Sequence, residues 1–268
     1  MPANKAATLE HLRTQIAAIE KRPVLAEAAV FRGSDADLLP VPAGVLHEVF
    51  SDEPRNGAAT LGFALAAARA LLKPERPAIL VMQLVGDSQE MGVPYGPGLA
   101  SFGVDPDAVI LLRAGTVTEF LWAIEEAVSC TAVAAVIADV SSHHKEIDFT
   151  VSRRLTMRAA SAGTSVFLVR YGRGREASAS KFRWKVMPTP SGAPPFDARA
   201  PGLPRFAVTL EKGRLAGFSA DGSRLMDWTA DGFALVEHRR KDGLPVAGAA
   251  ALSGADPAAL GHRLSQAG

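Results

Sequence analysis

Four short runs, Ala78-Ile79-Leu80-Val81-Met82, Val109-Ile110-Leu111-Leu112, Ala132 to Ala138 and Ser165-Val166-Phe167-Leu168-Val169, are apolar almost without a break, and helical patterns separate them. A strand with one wet face alternates apolar and polar residues, so an unbroken apolar run marks a strand covered on both faces. Such strands, joined by helical crossovers, build a mostly parallel sheet between two helical layers. The chain therefore reads as α/β. A first strand is expected over Val45 to Phe50, and helices over about Gly57 to Leu72, Val117 to Val128 and Thr150 to Ala162. Lys73-Pro74 closes the first of these helices. A long Gly/Pro loop is expected after Met82, running through Gly98, with a short helix near Leu99.

The two ends differ from this middle. Leu9, Leu12, Ile16 and Ile19 recur at helical spacing behind Thr8, a residue suited to an N-cap, and Pro23 stops the pattern. This separate N-terminal helix is a candidate contact surface, for its own domain or for another chain. From Lys181 the pattern changes to alternation, with Phe182, Trp184 and Val186 on one face and Lys181, Arg183 and Lys185 on the other. Trp184 is expected to be buried. Further alternating runs end at Leu210, Trp228 and Val236, with turns at Asp221-Gly222 and Asp231-Gly232, and all are expected as antiparallel or edge strands that extend the sheet or form a small flap. Six prolines lie between Pro188 and Pro204. The expected organisation is an N-terminal helix and linker (1–38), a core (39–187), a Pro-rich connection with C-terminal strands (188–238) and a loose tail (239–268).

Of 268 residues, 48% are hydrophobic and 21% charged, which excludes long disorder and collagen, and a single Cys excludes a disulfide scaffold. Cys130, in an apolar helical stretch with no base-bearing motif beside it, is expected to pack in the core. No apolar run is long enough to span a bilayer, so a cytoplasmic protein without membrane contact is expected. The net charge of +1 hides an asymmetry, because the window from Ser152 to Lys185 holds nine basic residues and one acid, Glu176. That window carries +8 and the rest of the chain −7.

A strand, a loop and a helix opening on Gly57 is the setting of a phosphate-binding loop, where helix amides and a Gly-rich turn hold anions. The residues do not follow. A working loop needs a leading Gly, then Lys after its second Gly, then Ser or Thr for magnesium; the corresponding positions here are Ser51, Ala58 and Ala59. Asp52 and Glu53 add negative charge, and Arg55 is badly placed to replace the lysine. Asp139, ending the Val133 strand, has the position of a Walker-B acid, but with nothing to complete it is expected to cap the following turn through backbone hydrogen bonds. No catalytic residue and no cofactor is expected.

The run Leu39 to Phe50, with its Gly-led strand ending in a Glu-apolar-aromatic triplet, resembles the start of the RecA ATPase core. Tyr95, Leu99 through Phe102-Gly103-Val104-Asp105-Pro106, the Val133 to Asp139 strand and Ala179-Ser180-Lys181-Phe182-Arg183 resemble later RecA segments in the same order, over about residues 39–187. Within that superfamily the chain is similar to the ImuA family, which is related to the division inhibitor SulA. The similarity rests on His47-Glu48-Val49-Phe50, Gly57-Ala58-Ala59, Tyr95-Gly96-Pro97-Gly98-Leu99, Leu121-Trp122-Ala123-Ile124-Glu125-Glu126-Ala127, Ser152-Arg153-Arg154-Leu155 and Arg183-Trp184-Lys185-Val186. The resemblance implies a RecA-like three-layer sandwich, with antiparallel C-terminal strands after the parallel sheet. It also implies a role in damage-induced translesion synthesis beside an ImuB-type inactive polymerase homologue and an error-prone DnaE-type polymerase. Ser141-Ser142-His143-His144-Lys145-Glu146 and Gly172 to Ser178 replace the two DNA loops of RecA and are much shorter, against filament-type strand exchange.

Arg173, Arg175, Lys181, Arg183 and Lys185 fall on the second of these segments and the strand leaving it, where Gly172 and Gly174 are expected to leave the loop mobile. Arg153, Arg154 and Arg158 lie on the preceding helix, with Arg154 and Arg158 on one face. The window reads three ways: phosphates of single-stranded DNA, an acidic protein partner, or a solvated face. RecA and a second copy of the chain are further candidate partners. His143-His144 has no third ligand at metal spacing, so no metal is expected. Three functions remain open: a non-catalytic adaptor, a SulA-like division inhibitor, or an ATP-dependent DNA-binding protein.

Overall fold

A computed structural model of the chain describes residues 39, 41–141, 143–194, 197, 199–215, 218, 222–229 and 232–236. The expected helix carrying Leu9, Leu12, Ile16 and Ile19, the turn residues Asp221 and Asp231, and the tail from 239 lie outside the described residues.

Among the described residues nine strands form one sheet: β1 Leu46–Ser51, β2 Ala78–Leu84, β3 Val109–Ala114, β4 Val133–Val140, β5 Ser165–Tyr171, β6 Phe182–Thr189, β7 Arg205–Lys212, β8 Ser223–Thr229 and β9 Gly232–Leu235. Their order is β3-β2-β4-β5-β1-β6-β7-β8-β9. The first six run parallel and the last three antiparallel. The C-terminal strands thus extend the sheet rather than form a flap. The expectation of β6 as an antiparallel or edge strand holds on one side only: it pairs antiparallel with β7, but its other neighbour is the parallel β1, so it is not an edge. Alternation arises there because one face of β6 is polar, not because its edge is free.

Five α-helices among the described residues accompany the sheet: α1 Gly57–Arg69, α2 Val85–Met91, α3 Gly96–Ser101, α4 Val117–Ser129 and α5 Phe149–Ala162. Strand residues alternate between two cores. Ile79, Val81 and Ile137 pack with α1 residues such as Phe63, while Leu80, Met82 and Val136 pack with Phe120, Ile124 and Leu155 of α4 and α5. The result is a RecA-like α/β sandwich. α1 is rich in Gly and Ala, which lets it sit close to its neighbours; a Cβ at Gly62 would meet the Phe102 ring at 2.5 Å. At α4, Thr116 accepts from the Glu119 amide and Glu119 from the Thr116 amide, a capping box that satisfies two orphan donors. At α5, Asp148 takes the Val151 amide at 2.8 Å, and Gly163 at φ 71° ends the helix in a conformation that suits glycine.

Three local expectations are corrected. The loop expected after Met82 contains α2, because Gly86 is its only interior breaker and Gly92, at φ 82°, is where the helix stops. The helix expected to reach Leu72 ends at Arg69. Cys130 is exposed rather than core, since the apolar stripe of α4 finishes at Val128 and the chain has left the helix by Cys130. Trp184 is fully buried, as alternation predicted, amid Phe63, Phe182 and Phe218.

Candidate functional site

The loop after β1 has the position of a phosphate loop and a different construction. Pro54–Asn56 forms one 3-10 turn, and the amides of Asn56 and Gly57 donate inward to the carbonyls of Glu53 and Pro54. Amides that would face an anion are thereby spent within the loop. Ser51 lies beneath it, with its hydroxyl donating to the Glu53 carbonyl at 3.3 Å. Over the first turn of α1 sits Met91, whose methyl lies 2.6 Å from where a Cβ on Gly57 would stand. Ala58 and Ala59 follow, with neither ammonium nor hydroxyl.

The loop's carboxylates also capture the nearest cations. Asp52 takes Lys185 Nζ at 2.5 Å and Arg175 Nη2 at 2.8 Å. The Lys185 ammonium, and after it the Arg175 guanidinium, hold the Asp52 carboxyl below the ordinary carboxylate range. Arg55 turns back onto Glu53.

Asp139 is the penultimate residue of β4, which is separated from β1 by β5, as a Walker-B acid would be. The expectation that it caps the next turn is corrected: Asp87 takes the Ser141 amide at 2.8 Å instead. Asp139 accepts from Gln83 Nε2 at 2.9 Å and from the Tyr171 hydroxyl at 2.8 Å. Only 5% of it is exposed, and burial raises its pKa. Burial, with the Asp139 charge adding to it, raises the Tyr171 phenol as well. These groups border a cavity of about 270 Å³ between α1, the ends of β2, β4 and β5, and the α2–α3 segment. Among the described residues, its lining contains no Lys, Arg or His.

The basic window is drawn into the fold at most positions. Arg183 bonds Glu48, which is 1% exposed, with Nη2 2.9 Å from Oε2, and Ser180 donates to the same oxygen at 2.7 Å. Arg175 also reaches Glu211 at 2.8 Å. Arg170, Arg175 and Arg183 surround the Phe50 ring, the nearest with its guanidinium carbon 4.3 Å from the centroid. Arg154 and Arg158 share Glu125 of α4, at 2.5 and 3.0 Å. Glu176 holds Arg170 at 2.9 Å and His143 at 2.8 Å. The Gly172 to Ser178 segment, expected to be mobile, is tied down at Arg175, Glu176 and the Ser178 carbonyl, which Lys212 meets at 2.7 Å. Arg153, Arg173 and Lys181 are exposed and make no ion pair among the described residues. Among those residues no group of three or more His, Cys, Asp or Glu side chains could hold a metal, and no helix is long and apolar enough to cross a membrane.

Gln83, Met91 and Tyr171, which complete the site, carry no sequence signal. They meet Asp139 and Gly57 only because β2, β4, β5 and α1 converge at the carboxyl end of the sheet.

A RecA-like sheet with a strand, loop and helix at the phosphate-loop position, and a cation-free cavity beside it, defines the class: RecA-like α/β proteins. No protein-family model matches the chain. Over 186 aligned residues it is 32% identical to Protein ImuA of Caulobacter vibrioides, in strain NA1000 / CB15N and in strain ATCC 19089 / CIP 103742 / CB 15 alike, covering 65% of this chain and 72% of each relative. The chain belongs to the ImuA family.

Proposed function

We propose that this chain is a non-catalytic RecA-like adaptor in damage-induced error-prone translesion synthesis, joining an ImuB-type protein and a DnaE-type polymerase. Family membership ties it to the inducible mutagenesis cassette; the adaptor role rests on the phosphate site. The observation that carries it is the pairing of Asp52 with both Lys185 and Arg175 beneath a helix opened by Gly57-Ala58-Ala59. Phosphoryl transfer needs fixed positive charge at the β- and γ-phosphates and a hydroxyl on magnesium. The loop supplies acids and methyl groups there. Purified protein with magnesium and ATP is expected to show no turnover above a buffer blank, while an ImuB-type partner is retained on the immobilised chain. Metal-dependent ATP hydrolysis, or no retention of the partner, refutes the reading.

Single-stranded DNA is a further candidate ligand, held by the cations left free. Charge reversal at Arg153, Arg173 and Lys181 is expected to weaken low-salt binding and to lower the slope of log affinity against log salt by about 0.7 for each phosphate no longer neutralised. Fluorescence anisotropy with a labelled oligonucleotide measures both. An unchanged slope in the triple variant assigns these residues away from DNA.

A further inference from the structure

We infer that the sheet edge at β3 is a docking surface for a second copy of this chain, the two β3 strands pairing antiparallel about a two-fold axis through Ile110. Among the described residues β3 has one neighbour, β2, and pairs with it in unbroken register. Its other edge presents main-chain amides and carbonyls with no strand opposite. Sheet edges are ordinarily guarded by proline, lysine, a bulge or a covering element. β3, Val109-Ile110-Leu111-Leu112-Arg113-Ala114, holds no proline, lysine or bulge. Ile110 is 52% exposed and Leu111 40%, and successive residues of a strand point to opposite faces, so the edge is open above and below. An apolar edge of this kind is a template for another strand.

Charge selects the occupant. Two exposed acids, Asp105 and Asp107, sit at the 3-10 turn Pro106–Ala108 that leads into the strand, and exposed Arg113 stands next to its end. Arg113 Nε donates to the Ser88 hydroxyl at 2.9 Å, and neither Arg113 nor either acid has an ion pair among the described residues. A strand acidic at its start and basic at its end complements itself when reversed. Opposite residues of an antiparallel pair share a face, so a two-fold axis normal to the sheet passes through a residue, not between two. With the axis on Ile110, that residue meets its own copy, Val109 meets Leu111, and Arg113 falls beside Asp107 of the other copy, at two symmetric places. An axis on Leu111 sets Arg113 against Val109, and one on Leu112 sets it against Leu111, so only the first matches charge with charge. Apolar and opposite-charge cross-strand pairs are the units that stabilise a sheet. Such a pairing is isologous, consumes both edges and closes at two chains.

Sedimentation equilibrium of the full-length protein tests this. A two-chain species that dissociates on dilution is expected. Ile110→Lys, at an exposed position, is expected to leave only monomer while the circular dichroism spectrum stays that of the wild type. Asp107→Lys or Arg113→Glu alone is expected to weaken association about tenfold, because each sets like charges opposite at both symmetric places, and the two together are expected to restore it. The restored double variant reads the register directly, since no other axis brings these two positions together. Monomer at every concentration, mass that grows beyond two chains, a dimer untouched by Ile110→Lys, or a double variant no better than the singles overturns the inference. Neither ATP turnover nor retention of an ImuB-type partner depends on a second copy, so the adaptor reading and this one fail separately.

Discussion

Arg183→Ala is expected to lower the free energy of unfolding by about 3–5 kcal/mol, a large share of the stability of a domain of this kind. The guanidinium bonds Glu48 through Nε at 3.0 Å and Nη2 at 2.9 Å, and Nη2 also meets the Glu176 carbonyl at 2.7 Å. Its loss leaves a carboxylate, 1% exposed and held otherwise by Ser180, with no counter-charge in the middle of the sheet. Urea unfolding followed by circular dichroism measures the effect, against Arg173→Ala as control. Arg173 is exposed and unpaired among the described residues, so its removal is expected to stay within about 0.5 kcal/mol. Glu48→Leu combined with Arg183→Leu is expected to recover most of the loss, because an apolar pair leaves no stranded charge. A small effect for Arg183→Ala would make the residue a surface cation and return it to the candidate DNA-binding set.

Acid is expected to destabilise the fold through His47. The imidazole is stacked between Phe167 and Phe182, with centroids 4.7 and 5.2 Å away, and its Nδ1 accepts from Trp184 Nε1 at 3.3 Å. Burial, with the Lys181 charge adding to it and the Pro42 carbonyl opposing, pulls its pKa from 6.5 down to about 3. The folded state therefore holds His47 neutral while the unfolded chain takes up a proton below pH 6.5. Stability contributed by this group is complete above pH 6.5 and falls by about 1.4 kcal/mol per pH unit on the way to pH 3. Asp139 works in the opposite sense, its raised pKa favouring the folded state as the pH drops. The comparison that isolates His47 is with His47→Gln, which keeps an acceptor for Trp184 and does not titrate. The gap between the wild type and this variant in urea midpoint should be flat above about pH 6.5 and change steadily from there to pH 4. Parallel curves would mean that His47 is not held neutral.

Much of the architecture is legible because burial leaves a period. The runs at Ile79, Val133 and Val166 read as two-sided strands and are buried almost throughout, but the Val109 run, read the same way, is corrected: it forms the edge strand β3 of the parallel half, with Ile110 and Leu111 exposed. The alternation at Phe182, Trp184 and Val186 predicts a buried Trp184. What the same alternation cannot tell is the partner of β6, because a strand with one polar face looks alike whether it pairs parallel, antiparallel or both ways. α2 escapes a reading by period because a seven-residue helix, with Gly86 inside it and Gly92 at its end, leaves too few turns for a stripe. Cys130 is misplaced by such a reading because the apolar composition of α4 continues past the residue at which the helix stops.

At the site, the missing lysine and hydroxyl are visible as absences at Ala58 and Ala59, since a phosphate loop depends on residues adjacent in the chain. The same local reading marks Asp139 and the basic window without saying what each would meet. Charges of opposite sign sit far apart in sequence: Arg175 is 123 residues from Asp52, and Arg183 is 135 from Glu48.

The sequence by itself determined the class of fold, the burial of its central strands and the alanines that stand at the loop's lysine and hydroxyl positions, all of which depend on neighbours or on short periods. Only the tertiary structure decided which cations are left without an ion pair among the described residues, what holds Asp139, and that a mostly apolar cavity adjoins the loop. Those facts depend on side chains brought together from distant strands, and hydrogen bonds and ion pairs a few ångströms long leave no periodic trace along a chain.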